Sequence, residues 1–444
     1  MIDLPSDAVT GNYTNSKHFN SAPIVRSDYL LRTVKVSGDA IHLTGDLNAT
    51  SPVEIIGGPQ QVKQLTFNGQ SLRFKQSTQT GAVTSTVHYT NATFSVPNLS
   101  TVGWKVIDSL PEITPTYDDS KWTSAFLTYS NNTARNLTTP RSLYASDYGY
   151  NVGNLVYRGH FTASGAETTF YLETQGGSAF GHSVWLNSTF VGSFYGGDKY
   201  SSWNQTYALS NVEKGCNYVL TILIDNMGLD ENGQGGSSEM KNPRGVLDYS
   251  LAGHSKSDIT WKLTGNLGGE DYADHTRGPL NEGGLYAERE GYHLPGAPTS
   301  SWSSSALGPM EGLSGPGVAF YSTSFDLDMP TGYDIPLAVA FSNSTGAANQ
   351  TATYIPAYRC QIYINGWQFG KYVHNIGPQD VFPIPEGIWN YHGSNTLAVS
   401  LWSLEAEGVK VGNLSLVAGP VIQSGYGAIE LSPSPRWTKR SDAY

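Results

Sequence analysis

Charged residues are scarce in this chain of 444 residues: only 14 % are Asp, Glu, Lys or Arg, and the formal net charge is −11. So few Lys, Glu and Arg side chains argue against extensive helical surfaces. The acidic balance offers no electrostatic attraction to nucleic acid or to an anionic membrane. No apolar run approaches the roughly 20 residues that a membrane span needs. We therefore expect neither nucleic acid nor a membrane as a partner.

Cysteine is almost absent, since the chain has only Cys216 and Cys360. We expect the two in different domains, so neither a disulfide framework nor a metal cluster is indicated, and both are predicted to be buried strand residues. The ten His residues show no His-Glu-x-x-His spacing, and a Gly-x-Ser-x-Gly elbow is also missing. We predict no cofactor, no metal and no nucleophilic serine.

Aromatic residues, by contrast, make up 12 % of the chain, which also contains 49 Gly and 23 Pro among short β-branched runs. This composition indicates an all-β protein, and the length favours about three domains. We expect residues 1–24 to be a linker or the tail of a missing domain, and residues 25–102 to form a small β-sandwich. Two tandem jelly-roll (galactose-binding-like) β-sandwiches are predicted at residues 103–257 and 258–444.

The two predicted jelly rolls share a repeated pattern. Residues 183–187, followed by Gly192, match residues 361–365, followed by Gly370, with the same spacing from Asn to Gly. An aromatic-containing strand, an Asn at the turn and a Gly in the next strand are typical of a hairpin. The strands further along correspond as well, at residues 219–224 and 396–401. This long repeat predicts a duplicated domain.

Asn-X-Ser/Thr sequons occur eleven times, which is typical of a secreted glycoprotein. Residues 1–20 lack the apolar core of a signal peptide, so we expect the chain to be a fragment of a longer secreted protein. The predicted glycosylation sites are Asn12, Asn48, Asn91, Asn98, Asn131, Asn136, Asn187, Asn204, Asn343, Asn349 and Asn413.

The most distinctive stretch is the acidic, Gly-rich loop at residues 225–236, which follows the apolar run 218–224. Such a loop presents functional groups from a rigid strand. Its carboxylates, Asp225, Asp230 and Glu231, leave a calcium site open, although the spacing is not that of an EF-hand.

Other candidates have a structural interpretation beside the functional one. Asp118 and Asp119 are expected at a turn or helix cap. Glu288 and Glu290 would share one strand face around Arg289, where a solvated face or an ion pair is the default. Several aromatic residues near turns are expected in the core rather than as sugar platforms. They are Trp185, Tyr195, Tyr200, Trp203, Trp367 and Trp389.

Several segments carry a resemblance to a known family. They read YRGHF at 157–161, QGG at 175–177, FGHSVWLN at 180–187, IDNMGLDEN at 224–232, WKLTGNLGGE at 261–270, GPLNEGGLYAER at 278–289 and PEG at 385–387. In these segments the chain resembles the C-terminal, non-barrel part of the large fungal β-galactosidases of glycoside hydrolase family 35.

The resemblance implies a β-sandwich and two jelly rolls that follow a catalytic TIM barrel and a further β domain. Both catalytic glutamates of that family lie on the barrel, so this chain is predicted to be inactive alone. The resemblance also implies that Glu231 meets the part of the substrate beyond the galactose. Relatives commonly carry a Trp two positions later, where this chain has Gly233.

We therefore expect the accessory domains of a secreted β-galactosidase that releases terminal β-linked galactose with retention. These domains would support the barrel, the expected partner in cis or in trans, and lend one loop to its mouth. Two alternatives stay open: a stand-alone pair of carbohydrate-binding modules, and a separate gene product that associates with a barrel-bearing chain.

Overall fold

The computed structural model describes residues 2–3, 23–197, 199–230, 241–342 and 354–443. The described chain is built almost entirely of strands, which confirms the predicted all-β class. It has one short α-helix, α1 (Tyr286–Arg289), and several 3-10 turns. These turns are Pro111–Ile113, Ala145–Tyr148, Lys256–Asp258, Gly269–Asp271, Pro279–Asn281, Thr299–Ser301 and Gly308–Met310.

The first unit is a small β-sandwich. Its strands are β1 (Ile2–Asp3), β2 (Ile24–Ser27), β3 (Leu30–Ser37), β4 (Ala40–Asp46), β5 (Ser51–Ile56), β6 (Gln64–Phe67), β7 (Gln70–Ser71), β8 (Phe74–Gln76) and β9 (Val83–Val87). They form a five-stranded sheet, β1-β2-β5-β9-β8, and a four-stranded sheet, β3-β4-β6-β7. The core between them includes Ile41, Ile55 and Val83, none of which is exposed. The next strand along the chain is β10 (Trp104–Asp108).

The second unit has two sheets with antiparallel neighbours. Its strands are β11 (Thr123–Ser124), β12 (Leu155–Thr162), β13 (Thr169–Gln175), β14 (His182–Leu186), β15 (Thr189–Phe194), β16 (Ser202–Ala208), β17 (Asn217–Ile224), β18 (Gly245–Leu251) and β19 (Thr260–Thr264). The large sheet has the order β11-β19-β12-β17-β14-β15 and the small one β16-β13-β18. Phe170, Leu220 and Ile222 are among the fully buried residues of the core.

The third unit repeats this arrangement. Its strands are β20 (Ser303–Ser305), β21 (Gly317–Asp328), β22 (Tyr333–Asp334), β23 (Leu337–Ser342), β24 (Tyr358–Ile364), β25 (Trp367–Val373), β26 (Val381–Ile384), β27 (His392–Ser403), β28 (Asn413–Ala418) and β29 (Ile422–Gln423). The large sheet is β20-β10-β21-β27-β24-β25, the small one is β26-β23-β28, and β22 pairs with β29. We call the second and third units the first and second jelly rolls.

Two strands lie in a different unit from the one that the sequence predicted. β10 was placed in the domain 103–257, but it pairs with β21 in the large sheet of the second jelly roll. β19 was placed in the domain 258–444, but it pairs with β12 in the first jelly roll. Local patterns identify a strand, whereas its partner depends on packing between distant segments. For this reason the predicted boundaries at 103 and 258 each separate one strand from the sheet to which it belongs.

The duplicated hairpin has the same geometry in both jelly rolls. In β14–β15 the register shifts between Val184 and Trp185, and in β24–β25 between Ile362 and Tyr363. The turn residues Asn187 and Asn365 have φ of 50° and 49°. Asn and Gly tolerate this left-handed backbone better than other residues, so the repeated Asn follows from the turn itself.

The large sheets of the two jelly rolls share a hydrophobic cluster. From the first come Val156, Trp185 and Leu223, and from the second Val318 and Trp402, all at most 2 % exposed. Burial of this apolar surface stabilises the two units against each other. The indole Nε1 of Trp402 donates across the junction to the Ser183 hydroxyl at 3.1 Å.

The last residues of the chain run over the other units without joining a sheet. Within residues 424–443, Trp437 donates from its indole to the Glu290 carbonyl at 2.9 Å. Arg440 forms a bidentate ion pair with Glu282 at 2.9 and 3.0 Å. Among the described residues, no helix is long and apolar enough to cross a membrane.

Candidate functional site

The acidic loop begins where β17 ends, and its first residue is held inside the protein. Asp225 is fully buried, and its backbone N–H donates to the Gly181 carbonyl at 2.9 Å. Its carboxylate accepts a hydrogen bond from Lys371 and lies 3.5 Å from Nε of Arg359, both in the second jelly roll. A buried carboxylate requires such partners because its desolvation is costly.

Arg359 extends this contact into a polar seam between the jelly rolls. Its guanidinium donates to the Tyr195 carbonyl at 2.8 Å and to the Asn375 side chain at 2.6 Å. Burial lowers the pKa of Arg359, and the Asp225 charge opposes that shift. The seam fixes the root of the loop to both units, so Asp225 has a structural role at the junction.

The two described ends of the loop are tied together by Arg244. This side chain is 3 % exposed, and its guanidinium donates to the Gly228 carbonyl at 2.8 Å and lies 3.2 Å from the Asp230 carboxylate. Asn242 also donates to Asp230 at 3.2 Å. Met227 is held by its backbone N–H, which donates to Gly176 at 2.7 Å. The loop therefore leaves the protein from a rigid base.

The centre of the loop, residues 231–240, lies outside the described residues, and Glu231 and Gly233 fall within it. The substrate-binding role of Glu231 stays a prediction. The calcium hypothesis is weakened in the described part, because the Asp225 and Asp230 carboxylates each have a cationic partner and face different neighbours.

Asp118 and Asp119 have different roles. Asp118 accepts the Ser120 backbone N–H at 2.9 Å, as a turn residue does. The Asp119 carboxylate instead accepts from Arg158, from His160 at 2.6 Å and from Lys262 at 3.1 Å. Burial would raise the pKa of Asp119, but His160 and Arg158 outweigh it, and the pKa lies well below its ordinary value. The sequence prediction of a turn was incomplete for Asp119.

The interpretation of Glu288 and Glu290 as one face of a strand is wrong. Residues 286–289 form α1, and Glu288 is buried, where it accepts the backbone N–H of Gly283 at 2.8 Å and the Tyr363 hydroxyl. Burial raises the pKa of Glu288. Arg289 forms an ion pair with Glu112, and burial raises the pKa of Glu112 to about 7. A capping interaction replaces the expected solvated face.

Sequence reasoning missed a buried cluster of Asp274, Glu282 and His293, whose ligand atoms lie within 4.8 Å of one another. These three residue types could hold a metal ion. However, Arg440 neutralises Glu282, and Arg277 lies 2.7 Å from the Asp274 carboxylate. An added divalent cation would face these two guanidinium groups, so the arrangement fits a structural ion-pair network better than a metal centre.

Cys216 is exposed in the loop before β17, so its predicted burial is wrong. The loop leaves its side chain uncovered, whereas Cys360 lies in β24 and is buried as predicted. Both thiols are free. Burial raises the pKa of the Cys360 thiol above its ordinary range.

Eight of the eleven sequon asparagines are among the described residues. Asn187 is half-buried, and its side chain accepts the Val219 N–H at 2.9 Å. The other seven are exposed, as a glycan would require: Asn48, Asn91, Asn98, Asn131, Asn136, Asn204 and Asn413. Glycosylation itself stays a prediction.

The aromatic candidates divide between core and surface. Trp185 and Trp389 are buried, whereas Tyr195 and Tyr200 are 40 % and 48 % exposed. Trp203 stacks on Phe194 with ring centroids 4.5 Å apart. Trp367 donates from its indole to the Pro433 carbonyl at 3.1 Å. The expected core role therefore fits the first pair but not the exposed tyrosines.

The fold and the duplicated hairpin define an all-β assembly of a small sandwich and two jelly rolls. Residues 117–230 and 286–407 both match the family described as the β-galactosidase second all-beta domain, and residues 1–84 match β-galactosidase domain 3. The chain therefore belongs to the β-galactosidases, in the part formed by these all-β domains.

Named relatives agree with this assignment. β-Galactosidase A of a Penicillium species is 49 % identical over 441 residues, which cover 99 % of this chain and 43 % of the relative. β-Galactosidase A of Aspergillus oryzae is 50 % identical over 442 residues, with 100 % and 43 % covered. A probable β-galactosidase E of Aspergillus fumigatus is 50 % identical over 446 residues, with the same coverage. The chain thus spans less than half the length of these relatives.

Solved structures that match include a β-glucuronidase 2 mutant of Bacteroides uniformis, at 12 % identity and a TM-score of 0.21. The match covers 75 % of this chain and 28 % of that one. At this TM-score the likeness contributes nothing to the assignment.

Proposed function

We propose that this chain forms the accessory all-β domains of a secreted retaining β-galactosidase. The domains support a catalytic TIM barrel of the type found in glycoside hydrolase family 35. The whole enzyme releases terminal β-linked galactose from lactose or plant-wall galactans. The observation that carries this proposal is the match along the entire chain to fungal β-galactosidases of more than twice its length.

The experiment is a replacement in a relative. The matched part of the Aspergillus oryzae β-galactosidase A is exchanged for this chain, and hydrolysis of nitrophenyl β-galactoside is measured. We expect a soluble, active chimera, because the two sequences are 50 % identical over 442 residues and protein cores tolerate volume-conserving substitutions. The relative without any such part serves as the control, and we expect it to lose activity. A soluble, monodisperse chimera without turnover would contradict the supporting role.

The second part of the proposal concerns Glu231. It follows Asp230, which Arg244 and Asn242 hold at the rigid base of the loop. We expect its carboxylate to contact the leaving sugar of the substrate in the whole enzyme. A group that touches only the leaving sugar does not stabilise charge at the galactosyl carbon.

In the active chimera, Glu231→Ala should therefore change the KM for lactose or the transfer to acceptor sugars, while kcat for the aryl galactoside stays nearly constant. Glu213→Ala, an exposed change in another loop of the same jelly roll, is the matched control. Gly233→Trp should tighten disaccharide binding by adding an aromatic surface. A large loss of aryl-galactoside turnover in Glu231→Ala would exclude this limited role.

A further inference from the structure

A cleft of about 660 Å³ lies where the small sandwich, the second jelly roll and the last residues of the chain meet. Arg32 in β3 comes from the small sandwich. The second jelly roll contributes Tyr333, Asp334, Glu386 and Tyr391, and the last residues of the chain contribute Tyr426. The volume lies within the range of about 300 to 1,000 Å³ that is typical of small-molecule sites. Its composition indicates what the cleft can bind.

Three tyrosines supply apolar surface to the cleft. The hydroxyls of Tyr333 and Tyr391 donate to the backbone carbonyls of Thr90 and Ile335 at 2.9 and 2.6 Å. Because these hydroxyls already have partners, the two residues contribute mainly their ring surfaces. Tyr426 remains 60 % exposed, although an aromatic ring gains by burial. An exposed ring at the rim of a cleft is available to a ligand.

The wall that carries Tyr426 is fixed before any ligand arrives. Arg32 forms a bidentate ion pair with Asp46 at 2.6 to 3.1 Å, and its guanidinium lies 5.1 Å from the Tyr426 ring centroid. Ser424 donates from its hydroxyl to Asp46 at 2.9 Å, and Gly425 donates to Gly45 at 2.9 Å. A preorganised wall lowers the entropic cost of binding.

Two carboxylates give the cleft negative charge and can accept hydrogen bonds from a ligand. Asp334 and Glu386 both line the cleft, Asp334 near the Arg32 guanidinium and Glu386 near His392. Burial raises the pKa of Glu386, as expected for a carboxylate in a partly desolvated recess. Since Asp46 already neutralises Arg32, the remaining charge of the cleft is negative and disfavours anionic ligands.

We propose that this cleft is a binding site for a neutral galactose oligosaccharide. Its sugar hydroxyls donate to the Asp334 and Glu386 carboxylates, and the C–H face of a pyranose ring packs on Tyr426. Carboxylates form stronger hydrogen bonds with hydroxyls than neutral acceptors do. The saccharide class follows from the cleft, whereas the choice of galactose rests on the proposed function.

The test is calorimetric titration of the whole chain with β-1,4-galactotetraose, with cellotetraose and oligogalacturonate as comparison ligands. We expect binding of galactotetraose and no measurable binding of the anionic oligogalacturonate. Tyr426→Ala should weaken binding about two- to tenfold, the range expected for one aromatic contact. Tyr129→Ala is the matched control, because Tyr129 is also 60 % exposed but lies on the first jelly roll, and it should leave the affinity unchanged. Glu386→Gln should weaken binding as well.

Thermal unfolding of each variant shows that it is folded, since an exposed ring adds little stability. Binding that is unchanged in both Tyr426→Ala and Glu386→Gln overturns the proposed site. Absence of galactotetraose binding overturns it too, but leaves the supporting role, which the chimera tests separately. Equal affinity for cellotetraose overturns the choice of galactose.

Discussion

The two jelly rolls have the same hairpin but end their central strand differently. In both, the turn asparagine accepts a backbone N–H from that strand: Asn187 from Val219 at 2.9 Å, and Asn365 from Thr396 at 2.8 Å. Counting from these bonds, Asp225 occupies the position of Trp402. β27 continues through Trp402, whereas β17 ends at Ile224 and the acidic loop begins. The hairpin is fixed by backbone geometry, while the strand end is free to acquire a loop.

The interiors differ in polarity at a second equivalent pair. The His182 ring in the first jelly roll forms hydrogen bonds with the Thr174 hydroxyl at 2.7 Å and with the Tyr207 hydroxyl at 2.6 Å. The matching residue in the second is Cys360, which lies in an apolar cluster with Phe382. Both positions are completely buried. One architecture thus accepts either a hydrogen-bonded polar trio or a cysteine within a hydrophobic cluster.

The largest effect is expected at the strand end. Asp225→Ala leaves Arg359 and Lys371 without their carboxylate, and loss of one partner of a buried ion pair costs about 3 to 5 kcal/mol. Chemical denaturation of the chain measures this loss of unfolding free energy. Asp326→Ala, at an exposed position of β21, is the control and should change stability by less than about 0.5 kcal/mol. Equal stability of the two variants would contradict a stabilising role of Asp225 at the strand end.

The next effect is expected at the paired glycines. A Cβ at Gly192 would lie 2.6 Å from the Tyr207 ring, and one at Gly370 would lie 2.4 Å from the Phe382 ring. Gly192→Ala and Gly370→Ala should therefore each destabilise the chain by about 1 to 3 kcal/mol through overpacking. Thermal unfolding compares the two. Gly69→Ala is the control, because no atom lies within 4 Å of the new Cβ. Its loss of stability measures the backbone strain of replacing a glycine at positive φ, without any crowding.

The polar trio predicts a pH dependence. Burial lowers the pKa of His182 to about 3, below the ordinary value of 6.5, so the folded state keeps the ring neutral. Its contribution is fully present above pH 6.5 and is lost as the pH falls toward 3, because only the unfolded chain binds the proton there. The slope is about 1.4 kcal/mol per pH unit.

The double variant His182→Cys with Tyr207→Phe gives the first jelly roll the filling of the second. Its stability, measured by denaturation from pH 7 to pH 4, should fall less steeply than that of the unchanged chain. Parallel curves would mean that His182 does not contribute to the acid sensitivity.

The smallest effect distinguishes the two turns. Asn365 also donates to the Ile388 carbonyl at 2.7 Å and to Asn395 at 2.8 Å. Within the described part of the chain, the Asn187 side chain bonds only to the strand, at Val219. A hydrogen bond contributes about 1 kcal/mol. Asn365→Gly should therefore cost about 1 to 2 kcal/mol more than Asn187→Gly, and glycine avoids strain at positive φ in both. The reverse order would show that the turns are not equivalent.

Much of the fold could be predicted because its signals are local. The Asn-to-Gly spacing of the hairpins and the short apolar runs each mark a strand or a turn without reference to the rest of the chain. The exchange of β10 and β19 could not be predicted, because each pairs with a sheet whose other strands belong to a distant stretch of sequence.

The site was predictable to the same extent. The acidic loop follows from the composition after β17, but the partners of Asp225 are contributed by the other jelly roll. The capping role of Glu288 depends on the loop at Gly283 and on Tyr363. Contacts of this kind come from tertiary packing, which no spacing in one sequence encodes.

The central proposal is that this chain supports a catalytic barrel that carries the active site of the whole enzyme. Its most direct test is the purified chain of 444 residues with nitrophenyl β-galactoside at concentrations typical of enzyme assays. We predict cooperative thermal unfolding, which shows a folded chain, together with no turnover, because we expect the two catalytic carboxylates of a retaining glycosidase to lie on the barrel. Turnover that remains proportional to the chain through further purification would contradict the claim.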